Sequence, residues 1–310
     1  MVGGVRICSF LPSATEIIAE LGLIDALVGV SEECRWPLEV VGKPVVTAAR
    51  IDPSELSSLE IDEAVRASLR DGQSLYLVDA ELVDELQPDL IVTQDLCSVC
   101  AVSSCELVSA CPVGAEVLSL DPRTFGEVAD SVRALARRLG VTARGQEIAS
   151  RMLETALAVA ASVEGLDRRR VFFAEWLEPP FCAGHWLPEM IALAGGTDVL
   201  GRAGEPSYAT SWEAVSALEP ELVILGPCGF DAPQALARAE DLALSCPAVV
   251  VDGDAYYSRP GPRLADGVRQ LAHLFHPGVA ADPGLPEFAL HDNTRGIGAA
   301  SGALGDAPVS

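Results

Sequence analysis

Four of the nine cysteines crowd into one run, "TQDLCSVCAVSSCELVSAC", as Cys97, Cys100, Cys105 and Cys111. Thiols can bind soft metals, pair as disulfides, or line a pocket as small apolar groups. Cys97 and Cys100 form a C-x2-C pair, but structural zinc normally needs a second well-spaced pair. The wider spacing also lacks the usual iron–sulfur register. Three chemistries therefore stay open: a pocket wall without metal, a metal or cluster held by Cys97, Cys100 and Cys34, and a C-x2-C disulfide.

A second group of residues suits a large planar ligand. The chain is only 5% aromatic. Trp36, Trp186, Tyr208, Tyr256 and Tyr257 nevertheless fall in segments that follow predicted strands, as do Phe181 and Phe230. Flat rings stack on a flat ligand with little loss of side-chain entropy. His185, between Gly184 and Trp186, could ligate a metal within such a ligand through a neutral imidazole. It could equally hydrogen-bond the ligand or cap a helix. Arg35 and Arg259 could meet carboxylates or phosphate, or serve as ordinary ion pairs.

These residues need elements to hold them. Val5–Phe10 reads as a strand, and "LPSATEIIAELG" reads as a helix with Ser13 and Glu16 in capping-box spacing. Short strands follow at 26–30, after "VGKPVV", at "LIVTQ" and at 115–120, which closes a first lobe at 1–121. Residues 122–166 read as helical. Their second piece, Thr142–Val163, would run about 33 Å at 1.5 Å per residue, enough to bridge two lobes. A second lobe at 167–277 carries strands 171–175, 222–225 and 248–251 and helices 186–194, 231–240 and 262–274. Strands alternating with helices predict an α/β fold with a mostly parallel sheet. Residues 278–310 lose periodicity and are expected to be a disordered tail. In parallel sheets ligands sit beyond the carboxyl ends of strands. That rule nominates "SEECRWP", the cysteine run, "LEPPFCAGHW", "PCGF" and "AYYSRPGPR", with Tyr208 nearby in "GEPSYATSW".

Composition excludes several classes. The net charge is −24 and the pI about 4.4, which argues against nucleic acid and anionic membranes. Mean hydropathy is +0.30, yet no apolar run reaches the roughly 18 residues of a membrane span. The start "MVGGVRICSFLPS" has no basic region leading into an apolar one, so a cytoplasmic location with free thiols is expected, with export as the alternative if a leader was removed. No nucleophile elbow, phosphate loop, zinc-protease motif or dinucleotide fingerprint occurs, so an enzyme is not expected.

One internal repeat stands out. "DAELVDELQPDLIV" (79–92) matches "SWEAVSALEPELVI" (211–224). Each has a capping residue, then Glu81 or Glu213, then a proline, an acid and a buried strand. Each glutamate sits where it would complement a helix dipole.

Together these stretches resemble the class III substrate-binding proteins of ABC transporters, which include vitamin B12-binding and iron–siderophore-binding members. The segments that carry the likeness are "RICSFLPSATEIIAELGLIDALVGVS", "LEPPFCAGHWLPEMIALAGGTDVL", "SWEAVSALEPELVIL" and "RPGPRLADGVRQLAHLFHP". The resemblance implies two Rossmann-like α/β lobes joined by a long helix, with a ligand between them. It favours a corrinoid (cobalamin-like) or other metal chelate as ligand, held by a monomer. It also implies that Glu81 and Glu213 dock on an ABC permease. The cysteine content and the missing export signal depart from the family pattern. A cytosolic metal- or cluster-binding protein on the same fold is the alternative.

Overall fold

The structure is a computed structural model that describes residues 4–71, 73–95, 102 and 114–290. The chain starts with β1 (Ile7–Ser9), α1 (Pro12–Glu20) and β2 (Leu27–Val30). It continues through β3 (Thr47–Ala49), α2 (Ser58–Arg70), β4 (Tyr76–Val78), α3 (Ala80–Leu86), β5 (Leu90–Thr93) and β6 (Glu116–Ser119). A parallel four-stranded sheet in the order β2-β1-β5-β6 forms the first lobe. Its strands are short; β1, β2 and β5 are almost wholly buried, as in a sheet covered on both faces, while the edge strand β6 is only partly covered. β3 and β4 pair antiparallel as a separate ribbon.

Two helices follow, α4 (Phe125–Arg138) and α5 (Thr142–Ser162). Thr124 and Glu127 make a reciprocal capping box at the start of α4. The 21 residues of α5 span about 32 Å. α4 and α5 approach so closely that a Cβ on Gly145 would lie 2.1 Å from that of Ala136.

The second lobe contains β7 (Arg169–Leu177), β8 (Pro180–Cys182), α6 (Leu187–Leu193), β9 (Gly196–Asp198), α7 (Trp212–Ala217) and β10 (Leu222–Leu225). It ends with α8 (Ala232–Ala239), β11 (Ala248–Val251), α9 (Gly253–Tyr256), α10 (Leu264–Phe275) and β12 (Glu287–Leu290). Its sheet runs β12-β11-β10-β7-β8, with β9 also on β7. β9, β7, β10 and β11 are parallel, while β8 and β12 are antiparallel edges.

The expected tail is therefore not structureless from residue 278. Glu287–Leu290 extends the sheet beside β11, and Gln270 Nε2 donates to the Pro286 carbonyl at 3.3 Å and to Glu287 at 3.1 Å. Four residues are too few to show a two-residue period, and the pairing comes from a β11 edge that was not legible locally. No helix among the described residues is long and apolar enough to cross a membrane.

The repeat makes the same kinds of contact at the base of both sheets. Asp79 and Ser211 cap α3 and α7 by accepting from the Leu82 and Ala214 amides. Gln87 and Glu219, each just before the repeat proline, take positive φ values of 42° and 50°. Asp89 accepts from the Arg6 amide at 2.8 Å, and Glu221 accepts from the Arg170 amide at 2.8 Å. The two arginine side chains reach back to the Leu86 and Leu218 carbonyls, closing the last turns of α3 and α7. The flanking positions are less alike than the pattern suggests: Val83 and Val215 are buried, but Ala214 is exposed.

One apolar cluster crosses both lobes. It joins Ile7, Ile17 and Leu90 of the first lobe to Leu135, Ile148 and Met152 of α4 and α5, and on to Val171, Met190 and Val268 of the second. Such a shared core resists wide separation of the lobes.

Candidate ligand-binding cleft

A cavity of about 370 Å³ lies where the two lobes meet. β7 and the residues after it supply Glu175, Trp176, Phe181, Gly184, His185 and Trp186. Pro206, Ser207, Cys228, Tyr257 and Ser258 complete the second lobe's wall, and Ile61, Asp62, Val65 and Gln94 come from the first half of the chain.

The aromatic walls are fixed by hydrogen bonds behind them. Trp186 Nε1 donates to the Tyr257 carbonyl at 2.8 Å, and the Tyr257 hydroxyl donates to Gln270 at 2.8 Å. Tyr257 also packs on Phe173 at 5.1 Å between ring centroids. Trp176 Nε1 donates to the Ser58 carbonyl at 3.2 Å, and its ring lies 5.6 Å from that of Phe230. These rings need no reordering to present a flat apolar surface.

His185 is held in a left-handed backbone conformation, φ 49°. Its amide donates to the Glu205 carbonyl at 2.7 Å, and its carbonyl accepts from Gly204 at 2.9 Å. Glu175 accepts from the Gly184 amide at 2.7 Å. A Cβ on Gly184 would lie 2.3 Å from the Ser207 amide, so only glycine lets the 205–207 segment close this wall. Burial, helped by the Arg123 charge, pushes the His185 imidazole below its ordinary range. The ring is therefore neutral at pH 7. Its Nε2 is buried, with no hydrogen-bond partner among the described residues.

Of the residues singled out in sequence, Phe181, His185, Trp186 and Tyr257 come together in this wall. Others do not. Arg259 is 7% exposed and bound by Asp254, Glu16 and the Glu33 carbonyl, so its charge is consumed within the protein. Arg35 is exposed and pairs with Glu33 at 3.4 Å. Trp36 and Tyr256 flank the Arg263 guanidinium, at 5.3 and 5.5 Å from their ring centres. Tyr208 donates to the Leu200 carbonyl and lies under Arg202. Phe230 packs on Trp176, with the Arg238 guanidinium over its ring at 4.2 Å from the centre. The strand-end rule locates loops, but partner residues distant in sequence decide which side chains turn into the cavity.

The thiols divide similarly. Cys97, Cys100, Cys105 and Cys111 lie outside the described residues. Cys228 lines the cavity. Cys34 is buried; burial pushes its thiol up to about 11, and the Thr15 hydroxyl donates to its Sγ at 3.0 Å. A protonated, buried thiol is a poor metal ligand. No group of three or more His, Cys, Asp or Glu that could hold a metal occurs among the described residues.

Sequence reasoning missed α2 and Trp176. Ser57 and Glu60 form a reciprocal capping box on α2, and Ile61 and Val65 follow at helical spacing, so the signal was present. The destination was not: α2 belongs to the first half of the chain but packs on the second lobe. Ile61 joins the apolar cluster of Phe172, Leu177 and Val223. Arg238 donates to the Leu56 and Pro53 carbonyls at 2.8 and 3.0 Å. The segment thereby roofs the cavity.

A larger, shallower groove of about 580 Å³ runs between α5 and α10, away from the interlobe wall. Its arginines already have acidic partners: Arg151 with Glu20, Arg263 with Glu16 and Arg269 with Asp266. Glu81 and Glu213 lie in the first turns of α3 and α7, both exposed. Hydrogen bonds from backbone and Ser211 hold the Glu213 carboxyl below its ordinary range.

Two α/β lobes, a helical connection and an aromatic cavity between them define a two-lobed solute-binding protein. The family model described as "Periplasmic binding protein" matches residues 7–250, and the chain belongs to that family. It is a binding protein, not an enzyme. The chain is 24% identical over 276 residues to a vitamin B12-binding protein of Vibrio cholerae, covering 86% of this chain and 87% of that one. The solved periplasmic vitamin B12-binding protein of Vibrio cholerae superposes with a TM-score of 0.64 at 23% identity, over 88% of this chain and 96% of that one. A periplasmic haem-binding protein from Pseudomonas aeruginosa superposes with a TM-score of 0.66 at 20% identity, over 91% and 97%.

Proposed function

We propose that this protein holds a corrinoid or closely related metal chelate in the interlobe cavity and presents it to an ABC permease. The observation that carries the reading is the rigid aromatic wall of Trp176, Phe181, Trp186 and Tyr257 facing one cavity between the lobes. Flat rings, those of Trp176, Trp186 and Tyr257 fixed by hydrogen bonds, match a large planar macrocycle better than a sugar or a bare ion. At about 370 Å³ the cavity falls at the small end of the roughly 300–1,000 Å³ range of ligand pockets. It therefore grips part of a macrocycle and leaves the remaining periphery outside. The names of the relatives, which bind vitamin B12 or haem, support a tetrapyrrole-type ligand.

Delivery is assigned to Glu81 and Glu213, exposed at equivalent places on the two lobes. Docking on a permease requires export, and the periplasmic relatives support that location over a cytoplasmic one. The deciding experiment is a visible-absorption titration of the purified protein with aquocobalamin. A saturable band shift at one ligand per chain is expected; a spectrum equal to the sum of its components at every ratio would remove the corrinoid reading.

A further inference from the structure

The roof of the cavity and its walls are held by different parts of the chain. Trp176, Trp186 and Tyr257 belong to the second lobe, whereas Ile61, Asp62 and Val65 come down on them from α2. α2 lies on an excursion that leaves and rejoins the chain at one place. β3 and β4 pair antiparallel, Thr47 with Val78, Ala48 with Leu77 and Ala49 with Tyr76. The ribbon continues one step further: the Arg50 amide donates to the Leu75 carbonyl at 2.9 Å, and Arg50 Nε to the Ser74 carbonyl at 2.8 Å. Residues 51–71 therefore hang from a narrow neck that belongs to neither lobe's main sheet. A neck of this kind confines a hinge to a few element-terminal residues.

The other end of the excursion is fastened to the second lobe. Arg238 of α8 donates to the Leu56 and Pro53 carbonyls at 2.8 and 3.0 Å, and Trp176 Nε1 to the Ser58 carbonyl at 3.2 Å. Ile61 is buried in the second lobe's apolar cluster, with Leu56 and Val65 packed beside it. α2 also satisfies itself, through the Ser57–Glu60 capping box and the Asp62–Arg66 pair at 2.7 Å.

Two movements could uncover the aromatic wall, and they differ in cost. Lifting 51–71 exposes these apolar side chains and frees carbonyls that water takes up at once, a modest net loss for each bond. Parting the lobes separates the buried Glu16 carboxylate from Arg259 and Arg263. It also opens the apolar cluster shared by both lobes and α5. Buried charges stripped of their partners cost far more than rehydrated carbonyls.

We propose that residues 51–71 are a hinged lid, which swings on the β3–β4 ribbon to admit and release the ligand while the two lobes keep their relative position. Arg238 and Trp176 are its latch, and Trp176 is at once latch and binding wall. The inference rests on the binding function proposed above and adds the route by which that site is reached.

The test compares the full chain with two variants, Arg238→Ala at the latch and Glu16→Gln at the lobe junction. Labelling by a bulky maleimide is followed peptide by peptide by mass spectrometry, without ligand. Cys228 lines the cavity and reports its opening; Cys8, wholly buried in β1, reports unfolding. Arg238→Ala should raise the Cys228 rate relative to Cys8 about tenfold, the scale of one lost hydrogen bond from a charged donor, and Glu16→Gln should leave that ratio unchanged. Stopped-flow mixing with aquocobalamin should show association and dissociation both faster in Arg238→Ala and unaltered in Glu16→Gln. An unchanged Cys228 ratio in Arg238→Ala, or a larger rise in Glu16→Gln, would overturn the lid in favour of lobe opening. Failure of aquocobalamin to bind would remove the corrinoid function, and the thiol ratios would still decide the lid.

Discussion

Glu16, in the first helix, accepts from Arg263 Nε at 2.9 Å across 247 positions of chain. Its side chain is 4% exposed, and Arg259 also reaches it at 3.4 Å. The carboxylate thus ties the middle of α1 in the first lobe to the segment leading into α10 in the second. Trp36 of the first lobe and Tyr256 of the second close over Arg263 from either side. Ionic pairing and the continuous apolar cluster together hold the lobes in one relative position, so the cleft is largely preformed.

Removing that tie should be costly. Glu16→Gln leaves Arg263 and part of Arg259 buried without a counter-charge, and breaking a buried pair from one side costs about 3–5 kcal/mol. Asp254 still pairs with Arg259, so the lower end is expected. Glu20→Gln is the control, because its pair with Arg151 is largely exposed and should contribute less than about 1 kcal/mol. Urea unfolding of the two variants measures both. Equal, small losses would show that the Glu16 cluster does not hold the lobes.

The cavity wall and the lobe seal should separate in a binding assay. Phe181 is half-buried in the wall, so Phe181→Ala should weaken corrinoid binding about tenfold, or ~1.4 kcal/mol. Tyr256→Phe should leave affinity unchanged, because Tyr256 lies beside Arg263 outside the wall. Trp186→Ala is a poor probe: Trp186 is 6% exposed, and truncating such a ring costs about 3–5 kcal/mol of stability. A Tyr256→Phe loss as large as that of Phe181→Ala would move the ligand to the Arg263 side of the lobe junction.

The roof should come loose without the lobes unfolding. Arg238→Ala removes two hydrogen bonds from a charged donor to the Leu56 and Pro53 carbonyls, and its stacking on Phe230. Bonds of this kind contribute about 1.5–3 kcal/mol. Faster amide hydrogen exchange is expected across α2, with β7 and β10 unchanged. Uniform acceleration through the second lobe would mean that the arginine supports the lobe rather than its roof.

Much of this architecture was readable. The strands at "LVIL" and "AVVV" are fully or largely buried in parallel pairing, because continuous apolar runs are what such strands need. The Glu81 and Glu213 repeat was visible because the same capping, proline and acid pattern serves the same local geometry twice. What escaped were features set by distant partners. Arg259 looks free in "YYSRPG" because nothing local announces Glu16. The end strand Glu287–Leu290 exists only beside β11. Trp176 reads as the end of a buried strand, yet its face toward the cavity depends on α2 arriving from more than a hundred positions upstream to bind its indole nitrogen.

His185 supplies a pH prediction with a definite sign. Its imidazole titrates below the ordinary value in the folded protein, mainly through burial and secondly through Arg123. In the unfolded chain it titrates near 6.5. As pH falls through that unfolded value, the unfolded chain takes up a proton that the folded one refuses, so stability falls. The loss continues until the lower folded value is passed and then levels off. Above the unfolded value neither state binds the proton, and the residue contributes no pH dependence. Replacing His185 with glutamine removes the titration while keeping a polar side chain. Urea midpoints measured between pH 5 and 8 should therefore decline less steeply on the acid side for His185→Gln than for wild type, with the two slopes equal above pH 7. Parallel curves across the whole range would mean that the imidazole protonates equally readily in both states and is not held neutral in the cleft.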